Sequence, residues 1–361
     1  MSWFLAFAGF ALLVILHEAG HFTAAKAVGM RVERFSLFFP PTLLRKQVGE
    51  TEYAIGAIPA GGYVKISGMN PDESLPDEVR TRAYYSQPVW KRIVVISAGP
   101  AVNLVVAFVL LFIFFWAIGP TTATTRVGSL DKGFPAVTVL KPGDKIVAVD
   151  GKHGDTQVLA DQIASHKCAA KPPVDRCKAA TPATLLIGRG GTERTVRIRP
   201  IYDAQSGVQR TRLGFSYADG PHDPLPFGEA FSTTTDRFWY ITKQTVALPA
   251  RLFNSQKRKE ITGVVGSYEY TRQTILSNIA DVIGIMAIIS LSLAIVNLFP
   301  FLPLDGGHIF WAIVEKIRRK PVPFSVMERA GVVGFMLVIG LFILGLTNDI
   351  DRLTGQGFQV K

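Results

Sequence analysis

Near the start of the chain, three residues have the types and spacing needed to hold and use a metal ion. His17, Glu18 and His21 lie in Val14-Ile15-Leu16-His17-Glu18-Ala19-Gly20-His21, an H-E-x-x-H pattern. On a helix, positions i and i+4 share a face, so His17 and His21 can present two imidazoles to one ion. Zn²⁺ takes such nitrogens, and a catalytic site adds a third protein ligand and a water. Glu18 stands next to the first histidine and can act on that water as general base. No charged residue occurs from Trp3 to Leu16. Ionisable groups at that depth of an apolar run are costly and mark function. The plainer alternative is a polar helix end at a membrane surface, with two histidines that happen to be four apart.

A third ligand is offered far along the chain, in Asn297-Leu298-Phe299-Pro300-Phe301-Leu302-Pro303-Leu304-Asp305-Gly306-Gly307-His308. The prolines break the helix there, and irregular backbone at membrane depth is tolerated only beside a cavity or inside protein. Asp305 is the natural third ligand, since a carboxylate oxygen suits Zn²⁺ at ~2.0–2.2 Å. His308 competes for that place; otherwise it stands behind a ligand or simply near a helix start. Asn103, in Gly99-Pro100-Ala101-Val102-Asn103, is a lone amide in an apolar run. It either ties two helices together or holds a substrate backbone.

The elements that must position these groups are apolar runs. Four are long enough to span or nearly span a bilayer, which takes ~20 residues: Ser2 to Val28, Ile93 to Ile118, about Ile275 to Phe299, and about Ala330 to Leu346. Clustered Lys and Arg orient them. Lys26, Arg31 and Arg34 follow the first run, Lys91 and Arg92 precede the second, and Lys316, Arg318, Arg319 and Lys320 lie between the third and fourth. All fall on one side, which is therefore cytoplasmic, with both termini and the segment from Thr121 to about Arg272 outside. His17 lies ~22 Å along from Ser2 at 1.5 Å per residue, nearer the cytoplasmic end.

Between the first two runs the pattern is β-like. Thr51 to Pro59 and Gly62 to Ile66 read as two short strands joined by Ala60-Gly61. This is either an ordinary loop hairpin or an edge strand, with Gly61 and Gly62, on which an extended peptide can be laid by strand addition. In the outer segment, Pro142-Gly143-Asp144 is a turn and Lys145 to Val149 alternates as a strand. Gln157 to His166 fits a short helix, and Leu185-Leu186-Ile187 and Thr195 to Ile198 flank a Gly190-Gly191 hairpin. This segment looks like a PDZ domain, whose groove accepts an extended peptide ligand. Cys168 and Cys177 sit in an insertion from Lys167 to Ala183; they can bridge in an oxidising compartment or stay as two free thiols. Pro226 to Phe253 carries an amphipathic helical pattern that suits either the outer interface or packing under the PDZ-like domain.

Bulk composition agrees. Of 361 residues, 48% are hydrophobic and only 19% charged, which favours a membrane protein. The net charge of +11 comes without an aromatic-interleaved basic stripe, so no nucleic-acid partner is expected. The opening lacks a charged n-region and an A-x-A-like cleavage site, so it is expected to be retained.

Taken together, the chain resembles the site-2 protease family of intramembrane zinc metalloproteases, above all its bacterial regulator-of-sigma-E branch and the actinobacterial relatives of that branch. The resemblance rests on His17-Glu18-x-x-His21, Gly61-Gly62-Tyr63-Val64, Gly99-Pro100 with Asn103, the PDZ-like segment, and Asn297 to His308. It implies a Zn²⁺ cofactor held by His17, His21 and Asp305, with Glu18 as base. It also implies Asn297 and Asn103 as polar contacts to substrate, and a membrane-facing hairpin that presents the substrate. The implied reaction is regulated intramembrane proteolysis of a transmembrane substrate, such as a single-span anti-sigma factor or a signal peptide. The chain departs from the family pattern in three ways. Pro303 stands three residues after Pro300 rather than two, a single PDZ-like unit is visible, and Thr138-Val139 replaces the Ala-Gly pair before the Pro-Gly-Asp turn.

The expected fold is a polytopic α-helical membrane protein of about four transmembrane helices, a membrane-associated β-hairpin and one extracytoplasmic PDZ-like α/β domain, in a bacterial inner membrane. The expected segments are 1–29, the first transmembrane helix with the zinc motif; 30–92, the loop with the hairpin; 93–119, the second transmembrane helix; and 120–203, the PDZ-like domain. They continue with 204–273, a linker and amphipathic helix; 274–308, the third transmembrane helix and broken segment; 309–324, a short helix and basic loop; and 325–361, the fourth transmembrane helix and tail. Two rivals remain. A metal-dependent scaffold would not need Glu18, and a transporter should repeat its broken helices, which this sequence does not.

Overall fold

Long apolar stretches with no water to satisfy their backbone close all hydrogen bonds internally as helices. The computed structural model, which describes residues 2–354 apart from 71–72, 171, 205–208, 255–257 and 259–260, builds them so. The expected tail beyond 354 lies outside the described residues. Helix α1 (Ser2–Ala27) carries the H-E-x-x-H motif. Helix α2 (Val89–Ile113) continues as a π-helical turn, Phe114–Ile118. Among the described residues three helices are long and apolar enough to cross a membrane: Ser2–Ala27, Val89–Ile118 and Ser325–Asp351. The third expected span is divided. Helix α5 (Val264–Ser277) ends before the run begins in earnest, and α6 (Asp281–Asn297) has 17 residues, short of the ~20 a span needs. Helix α7 (Asp305–Arg318) follows the proline break, and α8 (Phe324–Thr354) ends the described chain.

The chain divides into two compact units, Met1–Ile118 with Leu225–Val360, and Gly119–Pro224. In the first, helices approach closely because small residues meet. A Cβ on Gly20 of α1 would lie 2.6 Å from the Ala98 carbonyl of α2. Ala107, Ala287 and Ala294 are likewise fully buried. In lipid such packing, rather than a hydrophobic drive, holds helices together. Ala107, Leu111 and Phe115 of α2 and its π-helical turn meet Ala287, Leu291 and Ile295 of α6, together with Ala230 and Ile241 of α4 (Phe227–Val246).

The β element differs from the expected hairpin. Strand β1 (Val32–Val48) pairs with a single long strand β2 (Thr51–Ile66), and the connecting turn is Gly49-Glu50 rather than Ala60-Gly61. Residues 34–37 stand between the two halves of β2. Arg34 is opposite both Glu52 and Lys65, and Leu37 opposite both Ile55 and Gly62. Gly49, at φ 61°, supplies the left-handed backbone that the turn requires. Outside the apolar helices, Glu50 receives Lys26 at 2.7 Å and both Arg82 nitrogens at 2.7 and 2.8 Å. Those cations pull its carboxyl down to about 2.

The second unit is a five-stranded sheet in the order β6-β5-β4-β3-β9. Its strands are β3 (Thr121–Leu130), β4 (Lys145–Val149), β5 (Ala183–Arg189), β6 (Thr192–Ile198) and β9 (Phe215–His222). A small pair, β7 (Ile201–Asp203) and β8 (Arg210–Arg212), and helix α3 (Thr156–Ser165) accompany it. Asp155 caps α3, accepting from Val158 N at 2.9 Å, as an N-cap carboxylate should. Ile146, Val149, Leu159, Leu185 and Ile187 fill the core; burying each is worth about 1.5–3 kcal/mol. The expected boundary at 203 is too early. Strand β9 pairs with β3, so residues 215–222 belong to the sheet and not to a linker. Cys168 and Cys177 are joined as a disulfide, with Cα atoms 5.7 Å apart.

Candidate metal centre

The helical turn of α1 does what the spacing requires. His17 and His21 are each 7% exposed, and their Nε2 atoms lie 3.2 Å apart. Asp305, the first residue of α7, brings Oδ2 to 3.2 Å from His17 Nε2 and 3.4 Å from His21 Nε2. These three form the metal-competent cluster found among the described residues. His308, the competitor, is not part of it.

The surroundings fix the state of the ligands. His21 Nδ1 donates to the Val95 carbonyl of α2 at 2.9 Å. A carbonyl can only accept, so Nδ1 carries a proton and Nε2 is the ring nitrogen turned toward His17 and Asp305, the one left to bind a metal. Asp305 Oδ2 is buried without a hydrogen-bond partner. Lone pairs pointed at one another in a water-poor site repel unless a cation lies between them. A tetrahedral site with bonds of ~2.0–2.1 Å has ligand–ligand edges of about 3.3–3.4 Å, close to those measured here. The donor set therefore fits zinc.

Two devices hold the ligands. A Cβ at Gly99 of α2 would fall on the His21 ring, so only glycine lets α2 close over that imidazole. At the other ligand, any Cβ on Gly306 would collide with the carbonyls of Leu298 and Phe299, and one on Gly307 with Phe301 and Leu302. The proline-broken segment thus folds back tightly over the first turn of α7 and sets Asp305 at its N-terminus, where the helix dipole favours a carboxylate.

Glu18 follows His17 and is partly buried. A Cβ built on Gly62 would lie 3.0 Å from Glu18 Cγ, 3.0 Å from the Ser36 carbonyl and 3.6 Å from a Val14 methyl. The structure therefore brings the last part of β2 against the motif helix beside Glu18. Gly61, at φ 146°, packs its Cα side on the Phe39 ring. Asn103 is fully buried on α2, four residues beyond Gly99; neither amide atom has a partner, while its carbonyl accepts from Ser290 Oγ of α6 at 2.9 Å. Asn297 closes α6, partly buried. Sequence reasoning missed the Val95 carbonyl, which carries no side-chain signal. It also missed the pair of Arg92 with Glu315, joined at 2.6 and 3.0 Å. An arginine opening an apolar run was the available clue.

Two histidines on an apolar helix, an aspartate at the start of another helix and a glutamate in the H-E-x-x-H position make a candidate centre of the metallopeptidase type. A sequence profile of Peptidase family M50 matches residues 5–341, and the chain belongs to that family. Zinc metalloprotease Rip1 of Mycobacterium tuberculosis (strain H37Rv) is 30% identical over 392 residues, covering 93% of this chain and 94% of the relative. A relative from Nostoc sp. is 29% identical over 367 residues, covering 99% of this chain and 98% of the relative. Among solved structures, the PDZ domain of the SdrC-like protein from Listeria monocytogenes aligns at 20% identity and a TM-score of 0.21, covering 28% of this chain and 94% of that one.

Proposed function

We propose that this chain is an intramembrane zinc metalloprotease that hydrolyses a peptide bond within, or next to, a transmembrane segment. Membership of peptidase family M50 makes it a peptidase of the zinc metalloprotease type. The observation that carries the finer reading is the convergence of His17, His21 and Asp305, from two apolar-facing elements, beside Glu18.

When bound, zinc would supply a Lewis acid for the scissile carbonyl and acidify a water. His17, His21 and Asp305 would hold it. Glu18 takes the proton of the attacking water on its carboxylate, then delivers it to the leaving amide nitrogen, so one group acts first as base and then as acid. A helical substrate hides its carbonyls, so it must unwind. The 62–66 edge of β2, stripped of side-chain bulk at Gly61 and Gly62, offers backbone on which an extended peptide is laid by strand addition. Asn103 and Asn297 are the polar groups for the substrate backbone in an otherwise apolar bundle.

The substrates would be single-span membrane proteins of the anti-sigma-factor type or signal peptides, cut in regulated proteolysis. The Gly119–Pro224 unit would be an extracytoplasmic PDZ domain with a peptide ligand, and the membrane the bacterial inner one. Replacing Glu18 by Gln keeps the side chain's size and removes the proton acceptor. Cleavage of a single-span substrate should fall by at least ~10²–10⁴-fold, with zinc content unchanged by metal analysis and substrate still co-purifying. Near wild-type cleavage by Glu18→Gln would remove the mechanism.

A further inference from the structure

Arg92 is 4% exposed at the start of α2 and takes no part in the chemistry above. Its Nη1 and Nη2 donate to Glu315 Oε2 and Oε1 at 3.0 and 2.6 Å, a two-pronged pair across to α7. The guanidinium lies 5.9 and 5.7 Å from the ring centres of Tyr84 and Tyr85. A buried ion pair is weak support for stability as such; its best-attested use is to fix one register of two elements against another.

The register fixed here has a consequence for the metal ligands. Arg92 and Val95 are three apart on α2 and so share a face. Val95 orients His21 through its carbonyl, while Arg92 grips the helix that begins with Asp305. That helix is anchored at its first turn by the close seats of Gly306 and Gly307 and, ten residues on or about 15 Å along, by Glu315. Asp305 and His21 are therefore both located from α2.

We propose that Arg92 and Glu315 are positioning residues that set Asp305 against the two histidines. This rests on the ligand set proposed above. Arg92→Lys keeps the charge but loses the planar fork, and Glu315→Gln keeps the shape but loses the carboxylate. Groups bonded directly to metal ligands change affinity by about 10–100-fold, and this pair acts on Asp305 only through α7. Full-length protein with either substitution should lose zinc to a chelator faster than wild type, by up to about tenfold. The cobalt-substituted form should show an altered visible absorption spectrum, which reports ligand geometry. The exchanged pair, Arg92→Glu with Glu315→Arg, should recover most of the retention, and Lys316→Gln on the same helix should behave as wild type.

Wild-type retention and an unchanged cobalt spectrum in folded Arg92→Lys would overturn the proposal. The same result in Glu315→Gln would also do so. If Glu315→Gln does not fold, Arg92→Lys, which keeps a cation opposite Glu315, decides. Failure of the ligand set looks different: wild type would hold no zinc, or Asp305→Ala would hold it as tightly as wild type.

Discussion

His21 is held from two directions, by the Val95 carbonyl on its Nδ1 and by the glycine-lined surface of α2 against its ring. Gly99 is where that surface is most sensitive to one added carbon. Gly99→Ala gains helix propensity, which at an unencumbered site favours alanine by roughly 0.5–1 kcal/mol. Here the new methyl would occupy the space of the His21 ring. The imidazole must shift, and zinc affinity should drop at least about tenfold, measured by competition with a chromogenic chelator. Gly340→Ala, whose added carbon meets nothing within 4 Å, should leave zinc affinity as it was. Equal affinities in the two variants would mean that α2 does not seat His21. At this scale the sequence was legible where chemistry depends on side-chain type and short spacing: His17, Glu18, His21 and an acid at a helix break. It was silent on Val95, because a backbone acceptor looks the same under any side chain.

Among the elements, those built from local periodicity could be read and those closed by distant partners could not. Strand β4 runs over Lys145–Val149 as its alternation implies, and α3 begins one residue from its expected start, after the Asp155 cap. The Gly61-Gly62 step was misread because two glycines usually mean a turn. Here Gly62 sits within a strand, where its missing side chain makes room for Glu18. Strand β9, with Asp219, Gly220 and Pro221, looks like loop; an edge strand tolerates proline because one row of its donors is unused. Helix α5 was hidden for another reason. Its first amides, at Gly263 and Gly266, are satisfied by the Asp349 carboxylate of α8 at 3.0 and 2.7 Å, a cap more than eighty residues away in sequence.

An electrostatic tie in the sheet unit gives a pH test. Asp144 is 2% exposed and receives Arg189 through Nε at 2.7 Å and Nη2 at 2.6 Å. The guanidinium holds its carboxyl below the usual range. A lowered folded-state value means the stabilisation is complete above the unfolded value near 4 and is lost as pH falls through the lower folded one. The thermal midpoint of wild type should exceed that of Asp144→Asn at pH 7, and the gap should narrow as pH falls below about 4. A gap that stays constant on acidification would show that the ion pair does not stabilise the unit.

For the whole molecule, the charge distribution predicts an orientation. Lys26, Arg31 and Arg34 lie at and after the end of α1, Lys91 and Arg92 open α2, and Lys316 to Lys320 close α7 and follow it; the distribution of such residues predicts that all three clusters share one side, the cytoplasmic one. Reporter fusions after Ile118 and after Lys320 should therefore report opposite compartments, active outside for the first and inside for the second. The same signal from both would require α6, with its 17 residues, to be re-entrant rather than crossing.

The sheet unit leaves the helical part and returns to it at one place. His222 Nδ1 donates to the Gly119 carbonyl at 2.7 Å and Asp223 N to that of Pro120. Just beyond, Leu225 N meets the carbonyl of Phe115 at 3.0 Å. An excursion of about a hundred residues thus begins and ends at neighbouring peptide groups, like a loop of rope tied off at a single cleat. Domains attached in this way are exchangeable parts: one can be shortened, replaced or doubled while the helices that carry the histidines and the aspartate keep their places. The two units are then free to change at different rates, and a chemist could graft another module at that seam without redesigning the helices that carry the histidines and the aspartate.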